Sequence, residues 1–272
     1  MKRDEIDRLL REKTRMWERR VKDEDLFEVV EEVFDTATVK TVLELMRKRI
    51  LRKLNGVIST GKESRVYLAY SFLGEPLAVK IYLTSSAEFR KSIYKYITGD
   101  PRFEKIRFKD TRSLIIAWAH KEFRNLKRMY EAGVKVPKPI ACLDNVLVME
   151  FLGEENARYP LLVEVYKELT SDELERVFQL ACEELRKIVC KAELVHSDFS
   201  EYNIMIKPDL DIVVIDVSQA VELSHPNAFE FLIRDIENIY RFFVKEAKLN
   251  IYKEQIWSRI EPCLKERGLF HG

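Results

Sequence analysis

The chain has 272 residues, of which 46% are hydrophobic and 34% are charged. This length exceeds that of the usual single domain, so one large domain or two apposed lobes are expected, and the balance of residue types excludes a disordered or membrane-embedded chain. The formal net charge is only +1. Any affinity for nucleic acid or for a membrane surface must therefore come from local patches of charge.

Two segments are locally basic. Residues 1–22 contain nine Lys or Arg and five acidic residues, and residues 83–112 contain eight and four. Solvated helix faces and loops have the same composition, so the pattern allows a nucleic-acid contact without requiring one. No apolar run is long enough to span a membrane, and the charged N-terminus lacks a signal-peptide core. We therefore expect a cytoplasmic protein without a membrane partner.

The four cysteines are Cys142, Cys182, Cys190 and Cys263. Their spacing matches neither a zinc site nor a disulfide framework. We interpret all four as small buried hydrophobic residues.

The first half of the chain changes from helical to β texture. Apolar residues at helical spacing predict two helices over residues 23–54, which form an N-terminal helical extension. From Gly56, alternation and β-branched residues predict a hairpin over GVISTGKESRVYLAY and a third strand over EPLAVKIYL. Residues 83–112 lack periodicity and predict a long irregular insertion, which we expect to be mobile without a partner. A helix is then predicted over residues 113–132.

The second half is mainly helical. The segment PIACLDNVLVMEFLG predicts two further strands, and Thr170 with Glu173 forms a capping-box pattern before a helix that reaches Ile188. That helix leads to LVHSDFSEYNIMI, after which IVVIDVS predicts a short hairpin. The remainder, from Asn227, is predicted to be helical. The fold class indicated is α/β, of the α+β kind.

A group of motifs indicates phosphoryl transfer, which requires metal ligands, a group that orients the attacking hydroxyl, and a cation on the phosphates. His196, Asp198 and Asn203 reproduce the kinase catalytic-loop pattern H-x-D-x-x-x-x-N. Thirteen residues later, Asp216 ends an I-D dipeptide on a predicted strand, and Lys80 ends an A-V-K tripeptide on another. Each motif alone is weak, but their joint order and placement indicate a kinase-type site.

At these residues the chain resembles the RIO family of atypical serine/threonine kinases. The resemblance is carried by STGKE (Ser59–Glu63), LVHSDFSEYNI (Leu194–Ile204) and IDVSQ (Ile215–Gln219), with SHPNAFEFLIRDIENI behind them, and it extends over roughly residues 55–243. The strings STGKE, S-E-Y-N and IDVSQ are similar to the first, Rio1-like, subfamily, in its archaeal form.

The resemblance implies a two-lobed protein-kinase-like fold. Residues 1–54 would be the N-terminal helical extension, and residues 55–152 would be a small β-rich N-lobe and hinge that carry the insertion over 83–112. Residues 153–272 would be a reduced helical C-lobe, with ATP between the lobes.

The resemblance also implies roles for the motif residues. Asp198 would accept or orient the proton of the attacking hydroxyl or water. Asn203 and Asp216 would ligate Mg²⁺ or Mn²⁺ through oxygen atoms, as hard cations require. Lys80 would hold the α and β phosphates, and we expect His196 to pack the loop without a catalytic role.

A carboxylate must orient Lys80, and Glu122 on the helix after the insertion is the candidate, with Glu131 as its competitor. The other predicted nucleotide contacts come from the loop after the first strand, from the neighbouring strands and from the hinge. They are Ile58, Ser59, Thr60, Gly61, Lys62, Glu63, Ser64, Val66, Ala78, Met149, Glu150, Leu152 and Met205. The main chain at Glu150 and Leu152 would pair with adenine, and Met205 would form the floor under it.

Two departures from the usual kinase pattern leave the acceptor open. Ser200 stands where conventional kinases have a lysine for the γ-phosphate, so either Lys62 replaces that lysine or the site turns over slowly. Only 56 residues follow Asp216, too few for an activation segment and a peptide platform. Three functions therefore remain: an autophosphorylating serine/threonine protein kinase, an ATPase whose nucleotide state controls association with a large complex, and a small-molecule kinase.

The resemblance implies that the complex is the precursor of the small ribosomal subunit, and no DNA partner is predicted. Within the insertion, from Thr84 to Arg112, two predictions concern exposed side chains. The autophosphorylation candidates are Ser85, Ser86, Ser92 and Thr111. The cationic face that would dock the ribosomal partner consists of Arg102, Lys105, Arg107 and Lys109.

Overall fold

The computed structural model describes residues 35–83, 93–103, 108 and 110–268. By its contacts the chain divides into two units, residues 1–40 and residues 41–272. The first described helix, α1 (Thr36–Arg47), is the second of the two helices predicted over 23–54. The first of those helices and the basic segment 1–22 lie outside the described residues. All the strands described below, and all the helices after α1, belong to the second unit.

A five-stranded antiparallel sheet occupies the first part of this unit, in the order β1-β2-β3-β5-β4. Its strands are β1 (Lys53–Thr60), β2 (Ser64–Tyr70), β3 (Pro76–Tyr82), β4 (Pro139–Leu143) and β5 (Val146–Glu150). The predicted hairpin, third strand and pair of later strands are therefore confirmed. The turn between β1 and β2 contains Gly61, whose N–H donates to the Ser64 carbonyl at 2.9 Å.

The middle strand β3 positions the predicted lysine. Six of its seven residues are buried because β2 and β5 flank it and both of its faces are covered. Residues two apart on a strand share a face, so Ala78 and Lys80 point the same way. In the register, Val66 lies opposite Lys80 and Met149 lies opposite Ala78.

Helix α2 (Thr111–Glu131) packs on this sheet, and its bounds agree within two residues with the helix predicted over 113–132. Asp110 caps its N-terminus by accepting from the Ser113 N–H at 2.7 Å. Its buried face is mostly apolar, but three of its buried residues are polar: Lys121, Glu122 and Asn125. These three side chains face the site that is described below.

Part of the insertion is built into the core, and its predicted irregularity is wrong for residues 93–97. Residues 93–97 form a short helix, and Ile93, Tyr96 and Ile97 are buried. The Tyr96 ring lies 5.3 Å from that of Phe231. The apolar spacing i, i+3, i+4 is helical, but five residues are too few for the periodicity to stand out in a sequence.

Arg102 is also placed differently from the prediction. Its side chain is 15% exposed and pairs with the buried carboxylate of Asp100 at 2.6 Å, so it does not belong to an exposed cationic face. Its predicted neighbours on that face, and the serines predicted as acceptors, lie outside the described residues: Ser85, Ser86, Ser92, Lys105, Arg107 and Lys109.

The rest of the unit is mainly helical, as predicted from the sequence. Its helices are α3 (Leu162–Val165), α4 (Ser171–Cys190), α5 (Ala228–Arg241), α6 (Glu254–Trp257) and α7 (Glu261–Glu266), with a π-helical turn over Phe242–Glu246. Short strands pair as β6 (Gly153–Glu154) with β7 (Ala157–Arg158), β8 (Leu194–Val195) with β11 (Val221–Glu222), and β9 (Ile204–Ile206) with β10 (Ile212–Val214).

Two further sequence predictions have opposite outcomes. The capping box before α4 is confirmed, because the Thr170 hydroxyl accepts from the Glu173 N–H at 3.3 Å and the Glu173 carboxylate accepts from the Thr170 N–H at 2.8 Å. The interpretation of all four cysteines as unpaired residues is wrong, because Cys190 and Cys263 form a disulfide. A separation of 73 residues gives no sequence signal for such a pair. Among the described helices, none has the length and apolar character that crossing a membrane requires.

Candidate active site

Lys80 lies at the centre of a cleft between the sheet and the helical part. Its ammonium group donates to Glu122 at 2.9 Å and to Asp216 at 3.0 Å, and its side chain is 7% exposed. Glu122 also accepts from the Tyr82 hydroxyl. The competing glutamate, Glu131, is exposed and pairs with Lys127 one helical turn away. The structure thus places Glu122, and not Glu131, against the lysine.

Burial and the attraction between opposite charges together change the pKa values of Lys80, Glu122 and Asp216. Burial would lower the pKa of Lys80, but the nearby carboxylates of Asp216 and Glu122 outweigh it and raise that pKa above its ordinary value. Burial raises the pKa of Glu122 despite the neighbouring lysine. At Asp216 the balance is reversed: burial would raise the pKa, but Lys80 and the Ser218 hydroxyl lower it. Lys80 is therefore cationic and Asp216 anionic at neutral pH.

The catalytic-loop motif follows β8 and places Asp198 beside Asn203. The Asn203 amide nitrogen donates to the Asp198 carbonyl at 2.8 Å and to its carboxylate at 3.3 Å. Gln219, which sequence reasoning did not assign to the site, donates to the same carboxylate oxygen at 3.3 Å. Burial and the negative charge of Asp216 raise the pKa of Asp198. A held carboxylate with increased basicity is suited to receive a hydroxyl proton.

Two buried groups support the loop from behind. Asp235 on α5 accepts the N–H groups of Ser197 and Phe199, each at 2.8 Å. Ser197 needs such support because it has a φ of 70°, a region that most L-residues avoid. His196 is fully buried, lies 3.3 Å from the Ile215 carbonyl, and has a pKa lowered by burial to about 4. It packs the loop as predicted.

The side-chain oxygen atoms of Asp216 and Asn203 fit a hard divalent cation. Asp216 receives Lys80 and the Ser218 hydroxyl on the same carboxylate oxygen, Oδ1, so its second oxygen is the one suited to a metal ion. The Asn203 nitrogen is committed to Asp198, which leaves its amide oxygen as the ligand atom. Two oxygen ligands are sufficient for Mg²⁺ when phosphate oxygens and water complete its coordination. Within the described part of the chain, no cluster of three His, Cys, Asp or Glu offers a richer metal site.

The cleft has a volume of about 260 Å³ and is mainly apolar beyond Lys80. Most of the predicted nucleotide contacts line it: Ile58, Ser59, Gly61, Ser64, Val66, Ala78, Lys80, Glu122, Met149, Glu150, Leu152 and Met205. Three predicted contacts do not line the cleft: Thr60, the last residue of β1, and Lys62 and Glu63 in the β1–β2 turn. Lys62 is exposed there, so in this conformation it does not replace the lysine missing at Ser200.

Several lining residues were not found from the sequence. They are Leu126, Pro137, Phe151, Arg158, Leu161, Tyr202 and Ile215. Apolar packing against a ligand leaves no motif, so such residues cannot be recognised one at a time. Tyr202 could have been noticed, since it stands beside Asn203 in the S-E-Y-N string, and it is 59% exposed. Arg158 is paired with Glu164 at 2.6 Å.

The comparisons with known proteins agree with this geometry. The model of the RIO domain matches residues 65–256. The Rio1 serine/threonine-protein kinase of Haloferax volcanii is 43% identical over 247 residues, which cover 90% of this chain and 82% of the relative. The human serine/threonine-protein kinase RIO1 is 38% identical over 229 residues, which are 84% of this chain and 40% of that protein.

Solved structures support the fold. The Rio2 kinase of Chaetomium thermophilum has a TM-score of 0.55 at 23% identity, with 85% of this chain and 72% of that chain covered. The same kinase in a complex with ADP, Mg²⁺ and phosphoaspartate has a TM-score of 0.52, with 85% and 70% covered. That Rio2 kinase therefore binds ADP and Mg²⁺ in this fold, and the predicted kinase-like fold class is confirmed. This chain belongs to the RIO family and is a phosphotransferase with the two-lobed kinase fold.

Proposed function

We propose that the chain binds ATP with Mg²⁺ or Mn²⁺ in this cleft and transfers the γ-phosphoryl group to a serine or threonine hydroxyl of a protein, itself included, or to water. One observation carries the proposal: Lys80 is held at 2.9 Å from Glu122 and at 3.0 Å from Asp216, with the Asp198 carboxylate on the neighbouring loop. A cation for phosphates and a metal ligand thus meet in one cleft, and the proposed proton acceptor, Asp198, is hydrogen-bonded to Asn203, which lines that cleft.

The hinge main chain is arranged to recognise adenine. The Glu150 N–H donates to the Lys138 carbonyl at 2.9 Å, and the Leu152 carbonyl accepts from the Tyr159 N–H at 2.9 Å. Each of these two hinge residues has a second main-chain group that takes no part in those bonds: the Glu150 carbonyl and the Leu152 N–H. They match the amine donor and the ring acceptor of adenine. Ala78 and Val66 from above and Met205 from below would enclose the base.

In the reaction, Lys80 would neutralise α- and β-phosphate oxygens, and Asp216 with Asn203 would hold the divalent cation, which supplies charge neutralisation at the transferring phosphoryl group. The acceptor hydroxyl would donate its proton to Asp198, and the oxygen would attack the γ-phosphorus as the bond to the β-phosphate oxygen breaks. The amide groups of Asn203 and Gln219 keep the Asp198 carboxylate oriented for that step.

A second candidate function is an ATPase that controls the assembly of a large complex. It is favoured by the short connection from Asp216 to α5, residues 217–227, which leaves little room for a conventional activation segment. In this case water takes the place of the hydroxyl, or the phosphoryl group passes first to a carboxylate of the site. Asp216 is the candidate for that carboxylate, and the phosphoaspartate in the Rio2 complex is a precedent in another family member. A small-molecule kinase is disfavoured by the STGKE and IDVSQ strings.

One experiment separates these outcomes. Purified protein is incubated with γ-labelled ATP and Mg²⁺, and the labelled protein is then treated with acid and with hydroxylamine. Label that survives both treatments is phosphoserine or phosphothreonine, whereas label that hydroxylamine releases is an acyl phosphate. Release of inorganic phosphate without labelled protein indicates the ATPase. No ATP turnover under any of these conditions, or with small hydroxyl acceptors, would contradict the proposal.

We further propose that the partner is the precursor of the small ribosomal subunit and that the protein acts in its maturation. The support is the resemblance to the RIO family and the basic character of residues 1–22 and 83–112. Since Arg102 is engaged internally, the docking test uses Lys105, Arg107 and Lys109 changed to Gln. Weaker, less salt-dependent binding to pre-ribosomal particles supports the docking role. Unchanged binding, together with phosphopeptides that all fall outside residues 84–113, would refute both predictions for the insertion.

The proposed ribosomal partner implies a cytoplasmic location. Disulfides are rare in that compartment except in hyperthermophilic archaea and bacteria, so the Cys190–Cys263 bond makes the location testable. Alkylation of cells under denaturing conditions, followed by mass spectrometry of these two cysteines, measures their redox state. Cell fractionation that recovers the protein away from the ribosomal fraction and outside the cytoplasm would contradict the proposal.

A further inference from the structure

Lys121 is a buried lysine without a carboxylate partner. It has no exposed surface, and within the part of the chain that the structure describes it forms no salt bridge. Its ammonium group donates instead to two main-chain carbonyls, those of Ser218 at 2.8 Å and Ala220 at 2.5 Å. Burial lowers its pKa well below the ordinary value for lysine. An apolar residue of similar length would pack at this place without that desolvation cost.

Asn125 lies one helical turn further along α2 and therefore shares a face with Lys121. It is fully buried, and its amide nitrogen donates to the carbonyls of Val217 at 2.8 Å and Ala220 at 3.0 Å. Lys121 and Asn125, on one face of α2, thus bind three of the four main-chain carbonyls of residues 217–220.

The segment held in this way begins at a strained residue. Asp216 has a φ of 53°, in the left-handed region, which is unfavourable for an ordinary L-residue. Such a conformation persists only where the surroundings fix it. The hydrogen bonds from Lys121 and Asn125 are the restraints that lie directly C-terminal to it.

We propose that Lys121 and Asn125 are positioning residues for Asp216, which they hold at the angle that binds a divalent cation by fixing the main chain over residues 217–220. The same helix carries Glu122, so one rigid element orients both Lys80 and the metal-binding aspartate. Conventional kinases control this aspartate through a movable activation segment, whereas here residues 217–227 lead directly into α5. The inference rests on the proposed role of Asp216 as a metal ligand.

Arg102 is an outer member of this group. It donates to the Asn125 side-chain oxygen at 2.7 Å, which turns the Asn125 nitrogen toward residues 217–220, and to the Ala220 carbonyl at 3.4 Å. Arg102 belongs to the insertion, so the insertion contacts residues 217–220 through Arg102 and Asn125. Arg102→Lys keeps a cation beside the buried carboxylate of Asp100 and removes the guanidinium group that reaches Asn125, so we expect this variant to fold.

The test measures the affinity for ADP by calorimetry in excess EDTA and in excess Mg²⁺, and takes the ratio of the two dissociation constants. In Lys121→Met and Asn125→Ala we expect this metal enhancement to fall about tenfold, while affinity in EDTA stays within about twofold of the original. Arg102→Lys should lose about threefold. Lys127→Met is the matched control, because Lys127 is 61% exposed on the same helix, and it should change nothing.

The outcomes are distinct. Folded Lys121→Met and Asn125→Ala variants that keep the full metal enhancement, even with lower Tm, would overturn the inference and leave both residues a packing role. If those two variants do not fold, Arg102→Lys decides: a reduced enhancement supports the inference, and an unchanged one refutes it. Absence of metal enhancement in the unmutated protein would instead refute the proposed role of Asp216.

Discussion

Glu122 and Glu131 lie on the same helix, yet their surroundings differ completely. Glu122 is 2% exposed and touches Lys80, whereas the Glu131 side chain is 64% exposed and pairs only weakly with Lys127 at 3.8 Å. An exposed pair of this kind contributes a few tenths of a kcal/mol, whereas a carboxylate that orients a phosphate-binding lysine affects the transition state. The distinction between the two residues depends on which face of α2 is buried.

The first prediction follows from this difference. Glu122→Gln should lower kcat/KM for ATP turnover by about 10- to 100-fold. This estimate is for loss of the charged hydrogen bond that orients Lys80, the residue that would bind the phosphates. The Lys80 side chain should lose its fixed orientation, so KM for ATP should also rise. Glu131→Gln, measured in the same assay, should behave like the original protein. Equal effects of the two substitutions would contradict the assignment.

The second prediction concerns pH. Asp198 acts as a proton acceptor only when ionised, and burial together with the Asp216 charge raises its pKa above the ordinary value of about 3.9. Activity should therefore fall on acidification, beginning at a higher pH than a free aspartate would give. Burial lowers the pKa of His196 to about 4, so His196 is neutral above that pH and does not cause a fall in activity there.

The pH dependence is measured as kcat/KM between pH 4 and 8, with circular dichroism at each pH as the control for folding. Burial also raises the pKa of Glu122, so the profile must be repeated in Glu122→Gln. An acidic limb that persists in that variant excludes Glu122, and repeating the profile in Asp235→Asn separates Asp198 from Asp235, whose pKa burial raises to about 7. A limb that disappears would assign the titration to Glu122 and contradict the prediction.

At the scale of elements, α5 supports the catalytic loop through Asp235. Its carboxylate accepts two main-chain N–H groups on either side of Asp198, and burial raises its pKa to about 7. Arg234 on the same helix donates to the Ser197 carbonyl. The loop is thus held on α5 by contacts that involve no reacting atom.

Asp235→Ala should therefore lower kcat by about tenfold or more and lower Tm, because two buried N–H groups lose their acceptor at a cost of about 1–3 kcal/mol each. Nucleotide affinity should change little. Glu230→Ala, in the exposed first turn of the same helix, is the control. An Asp235→Ala variant with normal kcat would show that the loop holds its conformation without α5.

The elements that were predictable are those whose signal is local. The β1–β2 hairpin, the capping box of α4 and the order of the kinase motifs could all be inferred, because turn residues, caps and short motifs are contiguous in sequence. Residues 93–103 could not be placed, since their burial depends on Phe231 and on other residues far along the chain. The pairing of Lys121 and Asn125 with residues 217–220 is likewise invisible before the fold is known.

At the scale of the whole molecule, a disulfide links the end of α4 to the C-terminal helices. Cys190 and Cys263 are 73 positions apart, and Arg267 reinforces the same connection by donating to the Cys190 carbonyl at 3.0 Å. Closing a loop of that length restricts the unfolded chain and is worth about 4 kcal/mol in the chain-entropy model. Neither cysteine lines the cleft.

Cys263→Ser should therefore lower the free energy of unfolding by about 2–4 kcal/mol, while ATP turnover at 25 °C stays unchanged. Reducing agent should produce a similar loss in the original protein and no further loss in the variant. Cys142→Ser, at a partly buried free cysteine, is the control for the substitution itself. Insensitivity of the original protein to reducing agent would contradict the predicted contribution of the bond.

The central claim is that Asp198 acts on the proton and Asp216 on the metal in one phosphotransfer cleft. It is tested most directly by measuring Mg²⁺-dependent nucleotide binding and single-turnover phosphoryl transfer on the same two variants, with Asp209→Ala, at an exposed turn residue, as the control. Asp198→Ala should bind MgATP normally and lose about 10²- to 10⁴-fold in rate, because its role arises in the transition state. Asp216→Ala should lose both the rate and the metal-dependent affinity. Equal effects of the two substitutions on nucleotide binding, or undiminished turnover in Asp198→Ala, would contradict the account.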